Sequence, residues 1–353
     1  MGEEKSGRSH VLPLLVIGLI TSACGIALGL AINWFPTQAS EEGKDIDTLW
    51  DVLVIVSVPI FVLVETIVLY SVWKFRMRPG EELKDGPPIH GNTRLEVIWT
   101  AIPAIILVAL CSYAYVVLHD IEKAEASEMR VRVVGEQFTW TFYYPNPGGK
   151  EIASPQLYLP KGKQVKFLVQ SKDVLHDFWV PAFRQKIDAV PGITTSYRVK
   201  PIKTGTFPVV CAELCGLGHS VMRQSAHVLT PDAYDKWFAA AKAKAAGGGG
   251  GGAQPAGGGA APDGKTIFTS SASPACGSCH TLSDAGATGT VGPDLDKVLK
   301  GKDAAFIKQS ILDPNKVIAP GYQPNVMPPN FGDTLSSQQV DALVKYLSDV
   351  TNK

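Results

Sequence analysis

Residues 211–222 read CAELCGLGHSVM, and within them Cys211, Cys215, His219 and Met222 bring together two thiols, an imidazole and a thioether. Thiolate and thioether ligands favour copper or iron–sulfur chemistry, whereas imidazole favours copper or zinc. The combination therefore indicates a soft-metal site with copper as the leading candidate, and a function that depends on electron transfer.

The residues around this run predict a loop rather than a helix. Pro208 just before it, and Gly216 and Gly218 within it, disfavour a continuous helix, so we expect a strand that ends in a ligand loop. A loop site in a sandwich usually takes a further ligand from a neighbouring loop, and His176 in DVLHDFWVPAF is the candidate. The alternative is a structural zinc site formed by His176, the two cysteines and His219.

Composition limits the class of protein. Over the 353 residues, 33 basic residues balance 33 acidic ones, which argues against a general nucleic-acid binder. The balance is uneven, because residues 119–246 carry 17 Lys and Arg against 12 Asp and Glu, whereas residues 261–353 carry 8 against 9. Of the six cysteines, two lie in apolar segments and four form two close pairs, which metal or haem attachment explains better than a disulfide framework.

Three apolar stretches, residues 11–35, 50–73 and 97–118, are each near the ~20 residues that a helix needs to cross a bilayer. The amino end and the segment 74–96 carry several Lys and Arg residues, whereas the connection between the first two stretches carries one. The positive-inside rule therefore places both basic segments in the cytoplasm and everything after residue 118 outside it.

The first stretch has a second interpretation. A basic start followed by an apolar run also describes a secretory signal, and TSAC at residues 21–24 loosely resembles a lipoprotein cleavage site. Against cleavage, Thr21 occupies a position where such sites usually have Leu, and the apolar run continues past Cys24 to Phe35. Both interpretations, and lipidation of Cys24, stay open, and the topology of the remaining chain is the same in either case.

The chain beyond the membrane divides into three parts. Residues 119–246 predict an antiparallel β-sandwich from short runs rich in Val, Phe, Tyr and Thr, namely MRVRVVGEQFTWTFYY, QVKFLVQ, TTSYRVK and GTFPVVC. This part closes with a helix over residues 231–246 whose N-cap is Thr230. Residues 247–262 are almost all Gly and Ala and predict a flexible linker, and residues 263–353 form a small, mostly α unit.

The motif CGSCH at residues 276–280 is the attachment signature of a c-type haem. Cys276 and Cys279 would form thioethers with the vinyl groups, and His280 would ligate the iron. VGPDL follows shortly afterwards, and Met327 lies further on in NVMPPNFG. The unit resembles the small mono-haem, class I cytochromes c, which implies an all-α fold and Met327 as the sixth iron ligand.

The motif CxExCGxGHxxM, with DVLH upstream and two membrane spans before it, resembles subunit II of the haem–copper cytochrome c oxidases. This resemblance covers most of residues 45–235 and implies a cupredoxin-like sandwich holding a binuclear copper centre, CuA, in which two thiolates bridge the metal ions. The ligands that it implies are His176, Cys211, Glu213 through its backbone carbonyl, Cys215, His219 and Met222. It also implies a Mg²⁺ site shared with subunit I, to which the Glu213 carboxylate contributes.

The same resemblance also implies roles for side chains that are not copper ligands. In GEQFTWTFYY, Phe138 stands where the family commonly has an electron-passing Trp, so Trp140 is the electron-route candidate, with packing across a buried strand as the alternative. Glu96 matches the glutamate at the entrance of a proton path into subunit I, with a solvated helix end as the alternative. Glu65, deeper in the second span, gains no role, although a charge in lipid costs ~2.5–3.5 kcal/mol.

The resemblances imply a multi-domain membrane protein, the electron-entry subunit of a proton-pumping, aa3-type cytochrome c oxidase with a fused cytochrome c domain (caa3 type). Electrons would pass from the tethered haem c to CuA and then to haem a in subunit I, where O2 is reduced to water. Expected partners are subunits I and III, the bacterial cell membrane, and cytochrome c or a cytochrome bc complex as the donor. No nucleic-acid partner is expected.

Other functional classes fit less well. A quinol oxidase subunit of the same fold would lack the copper ligands, and nitrous oxide reductase would carry a large propeller domain before its CuA motif. A stand-alone electron carrier or copper-delivery protein would not need Glu96 or the two spans that resemble subunit II.

Overall fold

The computed structural model describes residues 11–77, 79–80, 90–246, 263–272, 274–329 and 331–352. The predicted linker at residues 247–262, the basic amino end and most of the basic connection between the second and third spans lie outside these residues. Of the described residues, one compact unit holds those up to Pro36 and from Lys44 to Ile121, and a second holds residues 37–43 and those from Glu122 onward.

The first unit consists of three long helices, and each is long and apolar enough to cross a membrane. They are α1 (Val11–Ala31), α2 (Glu42–Phe75) and α3 (Thr93–Ile121). The three predicted apolar helices are thus confirmed. α1 packs closely on α2, because a Cβ added to Gly25 would lie 2.8 Å from Val58 Cγ1, and one added to Gly29 would lie 2.7 Å from Val54 Cγ1.

Two helix ends differ from the limits expected from hydropathy. α1 stops at Ala31, and beyond this end the Trp34 indole folds back to donate to the Gly29 carbonyl at 2.7 Å. α2 starts at Glu42, inside a polar stretch that a hydropathy profile does not mark. The Ser40 hydroxyl accepts a hydrogen bond from the Gly43 amide at 3.1 Å and so caps this polar first turn.

The connection between α1 and α2 packs against the β-sandwich of the second unit. The Ala39 amide donates to the Ala182 carbonyl at 2.8 Å, and the Lys200 amide donates to the Glu42 carboxylate at 2.9 Å. Ala39 and Ser40 are fully buried there. Residues 37–43 therefore fold with the sandwich rather than with the helices that they connect.

The sandwich is built from two five-stranded sheets with the orders β3-β2-β1-β5-β8 and β4-β10-β9-β6-β7. The strands are β1 (Met129–Glu136), β2 (Thr139–Tyr144), β3 (Ile152–Ser154), β4 (Leu157–Pro160), β5 (Val165–Ser171), β6 (His176–Trp179), β7 (Lys186–Ala189), β8 (Thr195–Val199), β9 (Gly205–Cys211) and β10 (Arg223–Leu229). Most neighbours are antiparallel, but β1–β5 and β4–β10 pair in parallel. Parallel neighbours need long connections, and several intervening strands supply them in both cases.

The core between the sheets comes from side chains that alternate along the strands. Trp140, Phe142 and Tyr144 share the inner face of β2 and are fully buried. α4 (Pro231–Ala246) begins after Thr230, whose hydroxyl accepts from the Ala233 amide at 3.4 Å, so the predicted helix and its N-cap are confirmed. α4 closes one end of the core by stacking Trp237 on Tyr158, with ring centroids 4.3 Å apart.

The C-terminal region is helical. Its helices are α5 (Gly264–Thr266), continued by a π-helical turn (Ile267–Ser271), and then α6 (Leu295–Val298), α7 (Ala304–Leu312), α8 (Phe331–Thr334) and α9 (Ser337–Thr351). Two two-residue strands, β11 (Thr281–Leu282) and β12 (Ala287–Thr288), pair beside CGSCH. Asp263 caps the first helix by accepting from the Thr266 amide, and Ser336 forms a capping box with Gln339 at the last one. Phe268, Leu343 and Leu347 lie in the core between these helices.

Candidate copper and haem sites

The candidate copper site lies where β6 begins and β9 ends. His176 is the first residue of β6 and Cys211 is the last of β9, and these strands are neighbours because Phe178 pairs with Cys211. The predicted strand before the ligand loop is thus present, whereas His176 lies in a strand rather than in a loop. A 3₁₀ turn (His219–Val221) then returns the chain to β10 and brings Met222 back over the strand ends.

The structure brings together all six residues that the sequence motif singles out. Around Cys211 Sγ, His176 Nδ1 lies at 3.9 Å, the Glu213 carbonyl oxygen at 3.2 Å and Cys215 Sγ at 3.8 Å. Around Cys215 Sγ, His219 Nδ1 lies at 3.7 Å and Met222 Sδ at 3.8 Å. Each thiol therefore has one imidazole and one weaker donor of its own, and the two thiols face each other.

The environment favours loss of one proton from the thiol pair. The neighbouring Cys215 thiol, together with His176, lowers the pKa of Cys211 well below the usual range of a thiol. The negative Cys211 and burial in turn raise the pKa of Cys215. Metal ligands must be deprotonated, so binding a cation removes the second proton and makes affinity depend on pH.

Asp173 orients His176. Its Oδ1 lies 2.8 Å from His176 Nε2, and it accepts backbone hydrogen bonds from the Gln137 and Val174 amides, both at 2.7 Å. Burial opposes ionisation of this carboxyl, but these hydrogen bonds outweigh burial and hold its pKa below the usual range. The sequence DVLH contains Asp173, but the motif alone does not predict that this residue orients His176. The feature of the sequence that could have indicated it is the spacing of three residues between a carboxylate and a candidate ligand.

Two aromatic side chains pack against the site. Trp140 is fully buried, and its ring lies 5.8 Å from that of His176 in an edge arrangement, so the electron-route candidate does contact a candidate ligand. Gly135 makes room for both rings, because a Cβ there would lie 2.9 Å from Trp140 Cζ3 and 3.0 Å from His176 Cδ2. Phe138 covers the ligand loop so closely that a Cβ on Gly218 would lie 2.4 Å from its ring.

The candidate haem site is a cavity of about 440 Å³ in the C-terminal region. Its lining is mostly apolar and includes all four predicted residues, Cys276, Cys279, His280 and Met327. A pocket of this size, lined by apolar groups with a few polar ones, is typical of cofactor sites. Asn325, in the left-handed conformation at φ 61°, turns the chain just before Met327.

His280 is held by the loop that contains VGPDL. Its Nδ1 lies 2.9 Å from the Pro293 carbonyl oxygen, which leaves Nε2 free to bind iron, and burial lowers the pKa of the ring. Gly292 is required for this approach, because a Cβ there would lie 2.5 Å from His280 Cε1. The segment VGPDL therefore orients His280 through Pro293 and Gly292. The attachment motif CGSCH alone does not predict this role.

The thiols of CGSCH differ from those of the copper site. Burial raises the pKa of Cys276 to about 12 and that of Cys279 to about 11. Both thiols therefore carry their protons at neutral pH. Their place in the CGSCH motif, at the border of the cavity, is what points to haem attachment.

The membrane carboxylates have simpler surroundings. Glu96 lies in the first turn of α3, where its Oε1 accepts from the Asn92 amide at 3.2 Å, while Asn92 Oδ1 accepts from the Leu95 amide at 3.2 Å. This reciprocal arrangement caps α3 and gives Glu96 a structural role beside any functional one. Glu65 is half-buried in the middle of α2.

Comparison with known proteins connects these sites to a family. The transmembrane-domain family of cytochrome c oxidase subunit II matches residues 27–117, its periplasmic-domain family matches residues 150–228, and the cytochrome c family matches residues 261–351. Cytochrome c oxidase subunit 2 of Alkalihalophilus pseudofirmus is 30% identical over 359 residues, which cover 96% of each chain. The chain belongs to the cytochrome c oxidase subunit 2 family. It carries a C-terminal cytochrome c domain and is a subunit of cytochrome c oxidase.

Two further proteins are similar to parts of this chain. Cytochrome c oxidase subunit 2 of Thermostichus vulcanus is 32% identical over 276 residues, covering 63% of this chain and 83% of the relative. Among solved structures, the periplasmic domain of subunit II of cytochrome oxidase from Bradyrhizobium japonicum is 31% identical, covers 35% of this chain and 99% of that chain, and superposes with a TM-score of 0.33.

Membership of this family implies copper and haem c binding, and the residues present fit both groups. Thiolate, imidazole and thioether donors converge at the sandwich end, a set that suits copper. The attachment thiols and a neutral histidine border one largely apolar cavity, which suits haem c.

Proposed function

We propose that this subunit is the electron-entry subunit of a proton-pumping, aa3-type oxidase. It would deliver electrons from its haem c domain, by way of a binuclear CuA centre, to haem a in subunit I. The observation that carries the proposal is the two-sided donor set at the sandwich end. Cys211 has His176 and the Glu213 carbonyl beside it, whereas Cys215 has His219 and Met222.

This donor set favours two metal ions over one. A structural zinc site takes four ligands in a tetrahedral arrangement, whereas the cluster here offers six donors, namely two thiols 3.8 Å apart and four further groups around them. Cys211 and Cys215 would hold the two coppers together, and such a pair of metal ions would supply one-electron transfer. The sandwich core, with Trp140 packed beside His176 and Phe178 packed on Trp140, would keep the ligands in place as the charge changes.

At the haem, Met327 and His280 border the same cavity, which supports axial ligation by both. A His/Met pair raises the reduction potential and leaves no open iron position for oxygen, so the domain would serve electron transfer. The O2-reducing site would then lie in subunit I.

Exposed apolar residues surround both candidate redox sites. Leu214 and Leu217 flank Cys215 and are 78% and 72% exposed, and Val317 and Ile318, which line the haem cavity, are 52% and 39% exposed. Exposed apolar patches of this kind mark protein contacts. They support transfer between the cytochrome domain and the copper site, and contact with subunit I beyond it.

Other details of the proposal depend on partner chains. The exposed Glu213 side chain would complete a Mg²⁺ site with subunit I. Glu96 would stand at the entrance of a proton path into subunit I. Subunit III would be a further partner. The upstream donor would be cytochrome c or a cytochrome bc complex. The complex would lie in the bacterial cell membrane with both redox domains outside the cytoplasm, and Trp140 would lie on an electron route through His176.

Metal analysis with optical and near-infrared spectroscopy of the purified oxidase tests the proposal. We expect two copper ions and one c-type haem in this subunit. Cys215→Ser should abolish the near-infrared copper absorption and leave the haem spectrum unchanged, because the two sites share no ligand. Cys111→Ser is the matched control, since Cys111 lies on the exposed side of α3 and should leave both spectra unchanged.

Two results would contradict the proposal. One zinc ion per subunit would favour the structural-metal alternative. An unchanged copper content and spectrum in Cys215→Ser would exclude the binuclear assignment.

A further inference from the structure

Asp177 is a buried carboxylate that none of the roles described above uses. It follows His176 directly on β6, and its side chain is only 3% exposed. Its Oδ2 accepts from Lys186 Nζ at 2.6 Å, whereas its Oδ1 has no hydrogen-bond partner among the described residues. A buried carboxylate with one free oxygen is costly to keep, so its presence needs a reason.

Asp177 also contacts the candidate copper ligands through its backbone. Its carbonyl accepts from the Ala212 amide at 3.0 Å, immediately beyond Cys211. The backbone amide of Asp177 is directed at the Cys211 sulfur and helps to lower the pKa of that thiol. Burial raises the pKa of Asp177 and the contact with Lys186 opposes that increase, while Asp188 and the Cys211 thiolate add to it by repulsion.

The two charges of the pair sit in different surroundings. Asp177 lies inside the protein, where a charge is screened weakly, whereas the Lys186 side chain is 53% exposed and its charge is screened by water. At the metal site the field of the carboxylate therefore exceeds the compensating field of the ammonium group. A net negative field stabilises the more positively charged, oxidised form of a metal centre.

We propose that Asp177 and Lys186 form a charge pair that sets the reduction potential of the copper centre, with the buried Asp177 lowering it and Lys186 limiting that effect. Asp177 is a positioning residue of the electron-transfer site rather than a ligand. The inference rests on the proposed copper centre, but it concerns the value of its potential and not its existence.

The test is a redox titration of the copper near-infrared band in the purified oxidase. Asp177→Asn keeps the shape of the side chain and removes its charge. We expect the reduction equilibrium of the copper to shift about tenfold toward the reduced form, which is about 59 mV for one electron. The haem c in the same chain is an internal reference, and its midpoint should not move.

A double variant separates electrostatics from structure. Asp177→Asn combined with Lys186→Met removes both charges, so an electrostatic effect predicts that the potential returns most of the way toward the wild-type value. A purely structural effect predicts that the double variant is at least as disturbed as the single one. Lys186→Gln alone, titrated at pH 8, should shift the equilibrium toward the oxidised form.

Asp188→Asn is the matched control. Asp188 pairs with Asp177 across β6 and β7, but its side chain is exposed. Removal of its charge should therefore shift the copper potential by less than a third of the shift in Asp177→Asn. An unchanged potential in Asp177→Asn, an equal shift in Asp188→Asn or no return in the double variant would overturn the proposal. If Asp177→Asn does not bind copper, Lys186→Gln tests the proposal alone. A copper reduction potential in Lys186→Gln that is unchanged or raised would then overturn the proposal. Loss of the near-infrared band in every variant would instead count against the copper centre itself.

Discussion

His176 Nε2 lies 2.8 Å from Asp173 Oδ1, and this contact decides which nitrogen of the ring can bind a metal. With Nε2–H donated to the carboxylate, Nδ1 is left without a proton and points toward Cys211 Sγ, 3.9 Å away. Asp173 is itself fixed by the Gln137 and Val174 amides. The orientation of the ligand is therefore set before any metal binds.

The first prediction follows from this arrangement. Asp173→Ala should lower the copper affinity of the subunit about 10- to 100-fold, since the imidazole loses the partner that selects its tautomer. Competition with a copper chelator, followed by the near-infrared band, measures the change. Glu136→Gln is the control, because Glu136 is a nearby carboxylate paired with Lys172 rather than with a candidate ligand. Equal affinities in the two variants would contradict the role of Asp173.

The contact between Phe138 and the ligand loop gives a second prediction. Gly218→Ala places a methyl group 2.4 Å from the Phe138 ring, so the loop must shift and the free energy of unfolding should fall by about 1–3 kcal/mol. Thermal unfolding of the subunit and the position of the near-infrared band report the two effects. Phe138→Ala added to Gly218→Ala should restore part of the loss that the glycine variant causes, because the clash is gone. A double variant whose effects simply add would show that the two residues are not coupled.

Met327 is the subject of a third prediction. Met327→Ala should lower the haem midpoint potential and allow CO to bind, because the iron would lose its sixth ligand. Redox titration and CO difference spectra measure these changes. Val326→Ala, the neighbouring residue that lines the same cavity, should leave the iron closed to CO. An unchanged potential without CO binding in Met327→Ala would exclude Met327 as the axial ligand.

The sequence predicted the parts of the fold whose signals are local. The apolar runs predicted α1, α2 and α3, and GTFPVVC predicted β9, because periodicity and hydropathy act over neighbouring residues. β3 and β4 did not stand out, since they are three and four residues long and carry little alternation. The sheet neighbour of β4, which is β10, also lies much later in the chain.

The same distinction applies to the candidate sites. The ligand-type residues stand within short motifs, so the sequence could propose them together. Asp173, Gly135 and Gly292 could not be assigned roles, because their importance depends on side chains that approach only after folding. The contact of residues 37–43 with the sandwich could not be predicted either, because it joins segments more than 100 residues apart. For example, the Ser40 hydroxyl donates a hydrogen bond to the carbonyl of Phe183, which lies 143 positions later in the chain.

The packing of α1 on α2 gives the last prediction and decides between the two interpretations of the first span. Gly25 and Gly29 face Val58 and Val54 at distances that leave no room for a side chain, the small-xxx-small arrangement of membrane helix pairs. A helix packed in this way is a structural span, so the intact mass of the purified subunit should include the residues before Cys24. Gly25→Leu and Gly29→Leu should each destabilise the detergent-solubilised subunit by about 1–3 kcal/mol through overpacking, as measured by thermal unfolding. Gly18→Leu is the matched control, since a Cβ there meets nothing within 4 Å. A mass that begins at Cys24 would identify the first span as a cleaved signal, and equal stabilities in all three variants would exclude the packing role of the two glycines.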